Sequence, residues 1–129
     1  MKSLTKFIKV EIEGIANTNG YINEFIDFEE DSVNTLFVPG NQSAIHGYKI
    51  KIAGDDPTVG LYLVPVEDPS KAVKVTRIAE NSAGKITCIL PETHYMTNRL
   101  EIRTQFAGSG NTFLKVPRVI TSSFTIDEA

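Results

Sequence analysis

The chain has 129 residues, of which 41% are hydrophobic and 22% are charged, and its formal net charge is −3. This length fits one domain with a core of its own, and the balance of apolar and charged residues argues against wholesale disorder. The acidic balance also lacks the overall basic character that nucleic-acid-binding proteins usually have.

The N-terminal residues predict a hairpin. In residues 7–13, isoleucine and valine alternate with lysine and glutamate, which is the pattern of a half-buried strand. Asn19 and Gly20 form a strong hairpin signal, because type I′ turns need positive φ at both central residues. Residues 21–28 are therefore predicted to return as a second strand, with a short helix over residues 21–30 as the alternative.

The remaining chain consists of short apolar or alternating segments separated by Gly, Pro, Asn and Asp. Strands are predicted at residues 33–38, 44–53, 59–66, 72–78, 85–90, 99–106, 112–116 and 119–126, with a hairpin turn at 108–111. Pro117 cannot donate to a strand ladder, so we expect it at an edge strand or a bulge. Strands at such spacing predict an all-β sandwich or barrel. We divide the chain into an N-terminal extension, residues 1–32, and a main domain, residues 33–129.

Side chains that could support catalysis or metal binding are few and scattered. Cys88 excludes an intrachain disulfide because it is the only cysteine, and its phase among apolar residues predicts a buried side chain. His46 and His94 lack the spacing of a zinc motif. Asp55 and Asp56 could bind a hard cation, but aspartate is also a favoured turn residue. We therefore predict a non-enzyme with no catalytic residue, metal site or cofactor.

The candidate interaction surface is basic. It consists of five residues, Lys49, Lys51, Arg103, Lys115 and Arg118. In residues 44–53, Tyr48 and the isoleucines are predicted to face inward, so that both lysines point to solvent. Lys74 and Arg99 share the outward phase of Arg103, and a basic face results if their strands are neighbours. Ordinary solvated lysines, which protect sheet surfaces from aggregation, are the alternative.

Two further features concern the compartment. No run approaches the ~20 apolar residues of a membrane-spanning helix, so we expect no membrane partner. Charged residues interrupt the apolar positions after the N-terminus, and no signal peptide is visible. The expected location is the cytoplasm, with secretion as the alternative if the chain is a fragment that lacks its signal peptide.

Two blocks of residues carry a family resemblance. The first contains Asn34, Pro39-Gly40, Gly47, Ile50-Lys51-Ile52-Ala53-Gly54-Asp55-Asp56-Pro57 and Val59-Gly60. The second contains Leu100-Glu101, Thr104-Gln105-Phe106, Leu114-Lys115 and Pro117-Arg118. With these blocks, residues 33–124 resemble a family of bacterial domains of unknown function with an immunoglobulin-like fold, common in Bacteroides-type bacteria.

The resemblance implies an immunoglobulin-like sandwich of roughly seven to nine antiparallel strands, without known catalytic residues. It favours a non-enzymatic accessory or interaction module that binds an unidentified protein partner or a neighbouring domain. In this family the domain often follows an HU-like DNA-binding domain, which residues 1–32 are too short to form. The alternative function is therefore DNA or nucleoid association through an HU-like domain absent from this chain. A carbohydrate-active enzyme and a surface adhesion domain are further alternatives.

Overall fold

The computed structural model describes residues 20–29, 32–107 and 113–128, and the regular structure in these residues is almost entirely β. A single turn of 3-10 helix, Pro69–Lys71, accompanies the strands. In chain order the strands are β1 (Tyr21–Asp27), β2 (Ser32–Val33), β3 (Leu36–Phe37), β4 (Gln42–Tyr48), β5 (Gly60–Pro65), β6 (Val73–Val75), β7 (Arg77–Asn81), β8 (Lys85–Ile89), β9 (Thr97–Phe106), β10 (Phe113–Thr121) and β11 (Ile126–Glu128).

The strands form two sheets. The first sheet has the order β2-β1-β4-β8-β7, and the second has the order β3-β11-β9-β5-β6, with β10 also paired to β9. The pairings are antiparallel except for β3 with β11, which is parallel. The prediction of an all-β, immunoglobulin-like sandwich is confirmed.

The core lies between the two sheets. Strand β9 shows the origin of the core most clearly, because its burial alternates residue by residue along its whole length. Leu100 and Ile102 are fully buried, and they meet Ile45 and Ile86 of the first sheet in one hydrophobic cluster. Alternation of this kind places every second side chain on one face, so β9 presents its remaining side chains to solvent.

The strand prediction for residues 21–28 is confirmed, and the helical alternative is wrong. Strand β1 pairs with β4 and with β2, and Phe25 is fully buried in the core. The predicted strand at residues 7–13, Asn19 and the turn at 108–111 lie outside the described residues. The division of the chain after residue 32 stays a prediction.

The predicted strand 44–53 is too long, because β4 ends at Tyr48. Lys49 adopts a positive φ of 57°, which turns the backbone out of the ladder. Tyr48 has the outward phase of His46 in β4 and is 42% exposed, whereas Ile50, beyond the turn, is fully buried. The inward phase predicted for Tyr48 is therefore wrong.

Two other predicted strands are each divided in two. Residues 33–38 are interrupted at Asn34, which has a positive φ of 58° and whose Oδ1 accepts a hydrogen bond from Phe25 N at 2.7 Å. Residues 72–78 are interrupted at Thr76, where the chain leaves the second sheet and enters the first. The strand predicted at residues 119–126 is wrong beyond Thr121, because β10 ends there and the next strand, β11, begins at Ile126. By contrast with the divided strands, β10 continues through Pro117 and so joins residues 113–116 to residues 119–121. It lies at the edge of β9 with a register shift between Phe113 and Arg118, as predicted for Pro117.

Candidate interaction surface

Residues 50–57, here called the crossing segment, connect the two sheets. On the side of the first sheet, Ile52 N donates to Asn81 Oδ1 at 2.9 Å, and Asn81 Nδ2 donates to Ile52 O at 2.8 Å. On the side of the second sheet, Ala53 N donates to Thr104 Oγ1 at 3.1 Å. Gln105 N also donates to Ala53 O at 2.8 Å. These hydrogen bonds satisfy backbone N–H and C=O groups of Ile52 and Ala53, which lie outside the strands and have no partner in a sheet.

Gly54 and Gln105 fit closely at the end of the crossing segment. Gly54 has a φ of 126°, and a Cβ at this position would lie 2.1 Å from Gln105 Oε1. That same oxygen accepts a hydrogen bond from Asp56 N at 3.0 Å. The residues of the first resemblance block therefore contact those of the second, and their shared role is to connect the sheets.

Asp56 belongs to the turn chemistry of the crossing segment. Hydrogen bonds from the backbone and then the side chain of Thr58 lower the pKa of the Asp56 carboxyl group. The Oδ1 atom of Asp56 accepts from Thr58 N at 2.9 Å and from Thr58 Oγ1 at 2.7 Å. In the described part of the chain, no three His, Cys, Asp or Glu residues lie close enough together to bind a metal ion.

The other candidate chemical groups are separated from one another. Burial raises the pKa of the Cys88 thiol to about 12. His46 Nδ1 lies 3.0 Å from Glu24 Oε2, on the first sheet. His94 Nδ1 lies 3.7 Å from Glu92 Oε2, in a loop. Each histidine thus has one carboxylate neighbour of its own.

The five basic residues predicted as one surface do not all lie together. Lys49 Nζ lies 5.3 Å from the ring centre of Tyr48. Lys51 and Arg118 both approach Phe106, the first with Nζ 5.9 Å from the ring centre and the second through a hydrogen bond to the carbonyl oxygen. Burial lowers the pKa of the Arg118 guanidinium group. Lys115 is exposed on β10.

Arg103 lies elsewhere, on the outer face of the second sheet. The strand register sets its neighbours, since Gly60 is opposite Arg103 and Tyr62 is opposite both Glu101 and Lys74. The guanidinium carbon of Arg103 lies 5.2 Å from the Tyr62 ring centre, and Lys74 Nζ lies 6.0 Å from it. Directly opposed residues point to the same side of a sheet, so these groups share one surface.

Because Gly60 has no side chain, Lys74 can approach the same tyrosine ring as Arg103. A Cβ at Gly60 would lie 2.6 Å from Lys74 Cε, so the lysine side chain lies across the space that a larger residue would occupy. Lys74 thereby extends from β6 over β5 towards β9. We call this surface the Tyr62 face, and its members are Gly60, Tyr62, Lys74, Arg99, Glu101 and Arg103.

The Tyr62 face carries an excess of positive charge in a chain of net charge −3. Arg103 Nε donates to Glu101 Oε2 at 2.7 Å, and Arg99 donates to Ser122 O at 3.3 Å. Among the described residues, no carboxylate forms an ion pair with Lys74. The face therefore presents cations and one aromatic ring on the surface.

The family model of a domain of unknown function (DUF4469) with an IG-like fold matches residues 21–120. The chain belongs to this family. No curated protein matches it. The DUF4469 chain is also similar to a solved structure from Bacteroides vulgatus ATCC 8482, described as a "Putative bacterial DNA binding protein", with a TM-score of 0.79 and 23% sequence identity. The match covers 97% of this chain but 52% of that one, so this chain spans about half the length of its neighbour.

Two further observations complete the description of this DUF4469 domain. No helix within the described residues has the length and apolar character that crossing a bilayer requires. Of the Tyr62 face, only Arg103 is among the five residues predicted as a surface, although Lys74 and Arg99 have the outward phase that the sequence indicates. Tyr62 was missed because its neighbours depend on the register of three strands that are distant in sequence.

Proposed function

We propose that this DUF4469 domain is a non-enzymatic interaction module that binds an acidic protein partner or a neighbouring domain through the Tyr62 face. The observation that carries the proposal is the contact of the Tyr62 ring with both Arg103 and Lys74, whose side chain lies across Gly60. Tyrosine and arginine are enriched at the residues that contribute most to protein interfaces. The excess of cations selects a partner of opposite charge.

The Tyr62 face is also ordered before a partner binds. The Tyr62 hydroxyl donates to Thr58 O at 2.8 Å, and the ion pair with Glu101 restrains Arg103. Side chains that already have their bound conformation lose less entropy on association. An ordered cluster of this kind is a better candidate for binding than isolated solvated lysines.

The separation of reactive groups supports the non-enzymatic part of the proposal. A nucleophilic cysteine needs a stabilised thiolate, whereas burial raises the pKa of Cys88. General acid–base catalysis needs a base within reach of a nucleophile or substrate, and each histidine here contacts one glutamate. We propose on this basis that the domain contributes binding rather than chemistry.

Site-directed photo-crosslinking in the bacterium that encodes the chain can test the proposal. A photoreactive amino acid is introduced at Thr121, which is exposed on β10 opposite Glu101. A matched position is Lys85, on the outer face of the first sheet. We expect a partner that is captured from Thr121 and not from Lys85. Equal capture from the two positions, or none from Thr121, contradicts the proposal.

The dissociation constant of the purified partner is then measured for charge-reversal variants, which shows whether the charge of Arg103 contributes to binding. Arg103→Glu is expected to weaken binding by about tenfold or more, as truncation of a central interface arginine does. Lys85→Glu reverses the same charge on the opposite sheet and is expected to change the dissociation constant by less than about twofold. Similar losses in the two variants would indicate non-specific attraction.

DNA association is the second candidate function, and the fold neighbour from Bacteroides vulgatus favours it. The chain covers about half of that neighbour, so we propose that DNA contacts come from an HU-like domain beyond the part matched here. A role at the nucleoid would place the protein in the cytoplasm. The test is a mobility shift of duplex DNA at two salt concentrations, with the chain alone and with the full open reading frame. A salt-sensitive shift with the chain alone would instead indicate direct binding.

A further inference from the structure

A groove runs along the edge of the sandwich where the chain changes sheets at Thr76. Among the described strands, β6 pairs with β5 alone and β7 pairs with β8 alone, so both are edge strands. Two adjoining cavities of about 320 and 410 Å³ lie beside them. The two cavities share Thr76, Arg77 and Ile89. We call them together the Thr76 groove.

The Thr76 groove combines apolar walls with a cationic rim. Ile89, Leu90 and two prolines line the first cavity, and Ile78 with Ile89 line the second. Arg77, which lines both cavities, supplies the positive charge, whereas the amino group of Lys74 lies over Gly60 on the Tyr62 face. Glu92 is the one acidic residue that lines either cavity, and His94 Nδ1 lies 3.7 Å from its carboxylate. Each cavity has the volume of a small-ligand pocket, and the two adjoin at the residues that they share.

Arg77 is available for a ligand. It is exposed at the start of β7, and no carboxylate of the described residues pairs with it. A cation at the rim of an apolar groove attracts an anionic group that is attached to apolar neighbours. Edge strands in addition present backbone groups to an added strand.

We propose that the Thr76 groove binds an extended peptide in which an acidic side chain stands next to apolar ones. The carboxylate binds Arg77, the apolar side chains enter the two cavities, and the peptide backbone follows β7. This site is distinct from the Tyr62 face, because Arg77 and Ile89 belong to the groove alone. Lys74 contacts both surfaces, so it is unsuitable for separating them.

A peptide selection with the full chain provides the test. The probe is a phage-displayed library of random decapeptides, selected on the wild-type protein and, in parallel, on Arg77→Glu. We expect the wild-type protein to enrich peptides that combine aspartate or glutamate with valine, isoleucine or leucine. The most enriched peptide is then synthesised, and its dissociation constant is measured by fluorescence polarisation. Peptide-dependent protection of the amides of Arg77–Asn81 from hydrogen exchange locates the site.

Three variants make the outcome decisive. Arg77→Glu is expected to weaken the peptide by about tenfold or more, since a hydrogen bond to a charged group is lost. Lys71→Glu reverses an exposed charge in the preceding 3-10 turn, outside both cavities, and should change the affinity by less than about twofold. Glu92→Gln removes the one opposing carboxylate and should tighten binding by about two- to threefold. Arg77 is an exposed edge residue, so folding of its variant can be verified by an unchanged unfolding midpoint.

Several results would overturn the proposal. The selection could enrich no acidic and apolar peptide, or the peptide could bind Arg77→Glu as tightly as it binds the wild-type protein. Protection could instead appear on the strands of the Tyr62 face. A wild-type dimer that Arg77→Glu converts to a monomer would show that a second copy of the chain occupies the edge.

Discussion

Strand β9 contributes to two regions that use its side chains differently, the crossing segment and the Tyr62 face. Its end, at Thr104 and Gln105, binds the backbone of the crossing segment. Its middle, at Glu101 and Arg103, presents side chains on the Tyr62 face. The crossing segment carries the most recognisable residues of the family, whereas the Tyr62 face carries the exposed charges. A recognisable string of residues can thus mark a demanding backbone path rather than a binding site.

The largest expected effect is that of Gly54→Ala in the crossing segment. The variant combines a strained positive φ with a clash against Gln105, and we expect a loss of about 3–4 kcal/mol in the free energy of unfolding. Gly40→Ala is the matched control, because Gly40 has a φ of 93° but no heavy atom within 4 Å of an added Cβ. It should cost only the strain, about 1–2 kcal/mol.

Urea denaturation of the two glycine variants checks this prediction. A difference of about 2 kcal/mol between them measures the close contact alone. Equal losses would mean that Gln105 moves away without cost. The contact between the two resemblance blocks would then be incidental, and the contrast with the Tyr62 face would weaken.

Thr104→Val is expected to have the next largest effect. Thr104 is fully buried, and its Oγ1 donates to Lys51 O at 2.6 Å while accepting from Ala53 N at 3.1 Å. Valine keeps the shape but leaves these backbone groups without their partner, at a cost of about 2–3 kcal/mol. Thr121→Val, at an exposed position of β10, should be close to neutral. A loss below about 1 kcal/mol at Thr104 would show that water or a local shift serves the crossing segment instead.

The sequence predicted the strands well because alternation with period two is local. The alternating residues 99–106 correspond closely to β9, and the strand predicted at residues 85–90 corresponds to β8. The change of sheet at Thr76 was missed because no glycine or proline stands there. The bends at Asn34 and Lys49 were missed because residues other than glycine seldom adopt positive φ.

The candidate surface was less predictable than the fold. Outward phase identified Arg103, but the same reasoning grouped it with Lys51, which lies near Phe106. Sequence phase gives the side of a strand, and it does not give the neighbouring strand. Tyr62 and Lys74 meet Arg103 only through the register of β6 with β5 and of β5 with β9.

The pH dependence of stability tests the core itself, rather than the crossing segment or the Tyr62 face. Burial raises the pKa of Cys88 to about 12, above that of a thiol in the unfolded chain. Between about pH 9 and 12 the folded protein therefore retains a proton that the unfolded chain releases, and stability falls as pH rises. Cys88→Ala should reduce this slope by up to about 1 kcal/mol per pH unit. Identical slopes for the variant and the wild-type protein between pH 9 and 11, measured by urea denaturation, would contradict the burial of the thiol.

Arg103→Gln is expected to have the smallest effect on stability. The Arg103 side chain is 39% exposed, so its ion pair with Glu101 and its contact with Tyr62 are screened by solvent. We expect a loss of less than about 1 kcal/mol in the same denaturation assay. Because Thr104 lies one residue further along β9, the pair Arg103→Gln and Thr104→Val compares the two regions within one strand. A loss at Arg103 as large as that at Thr104 would identify the Tyr62 face as a second structural connection, and its exposed charges would then need no partner to explain them.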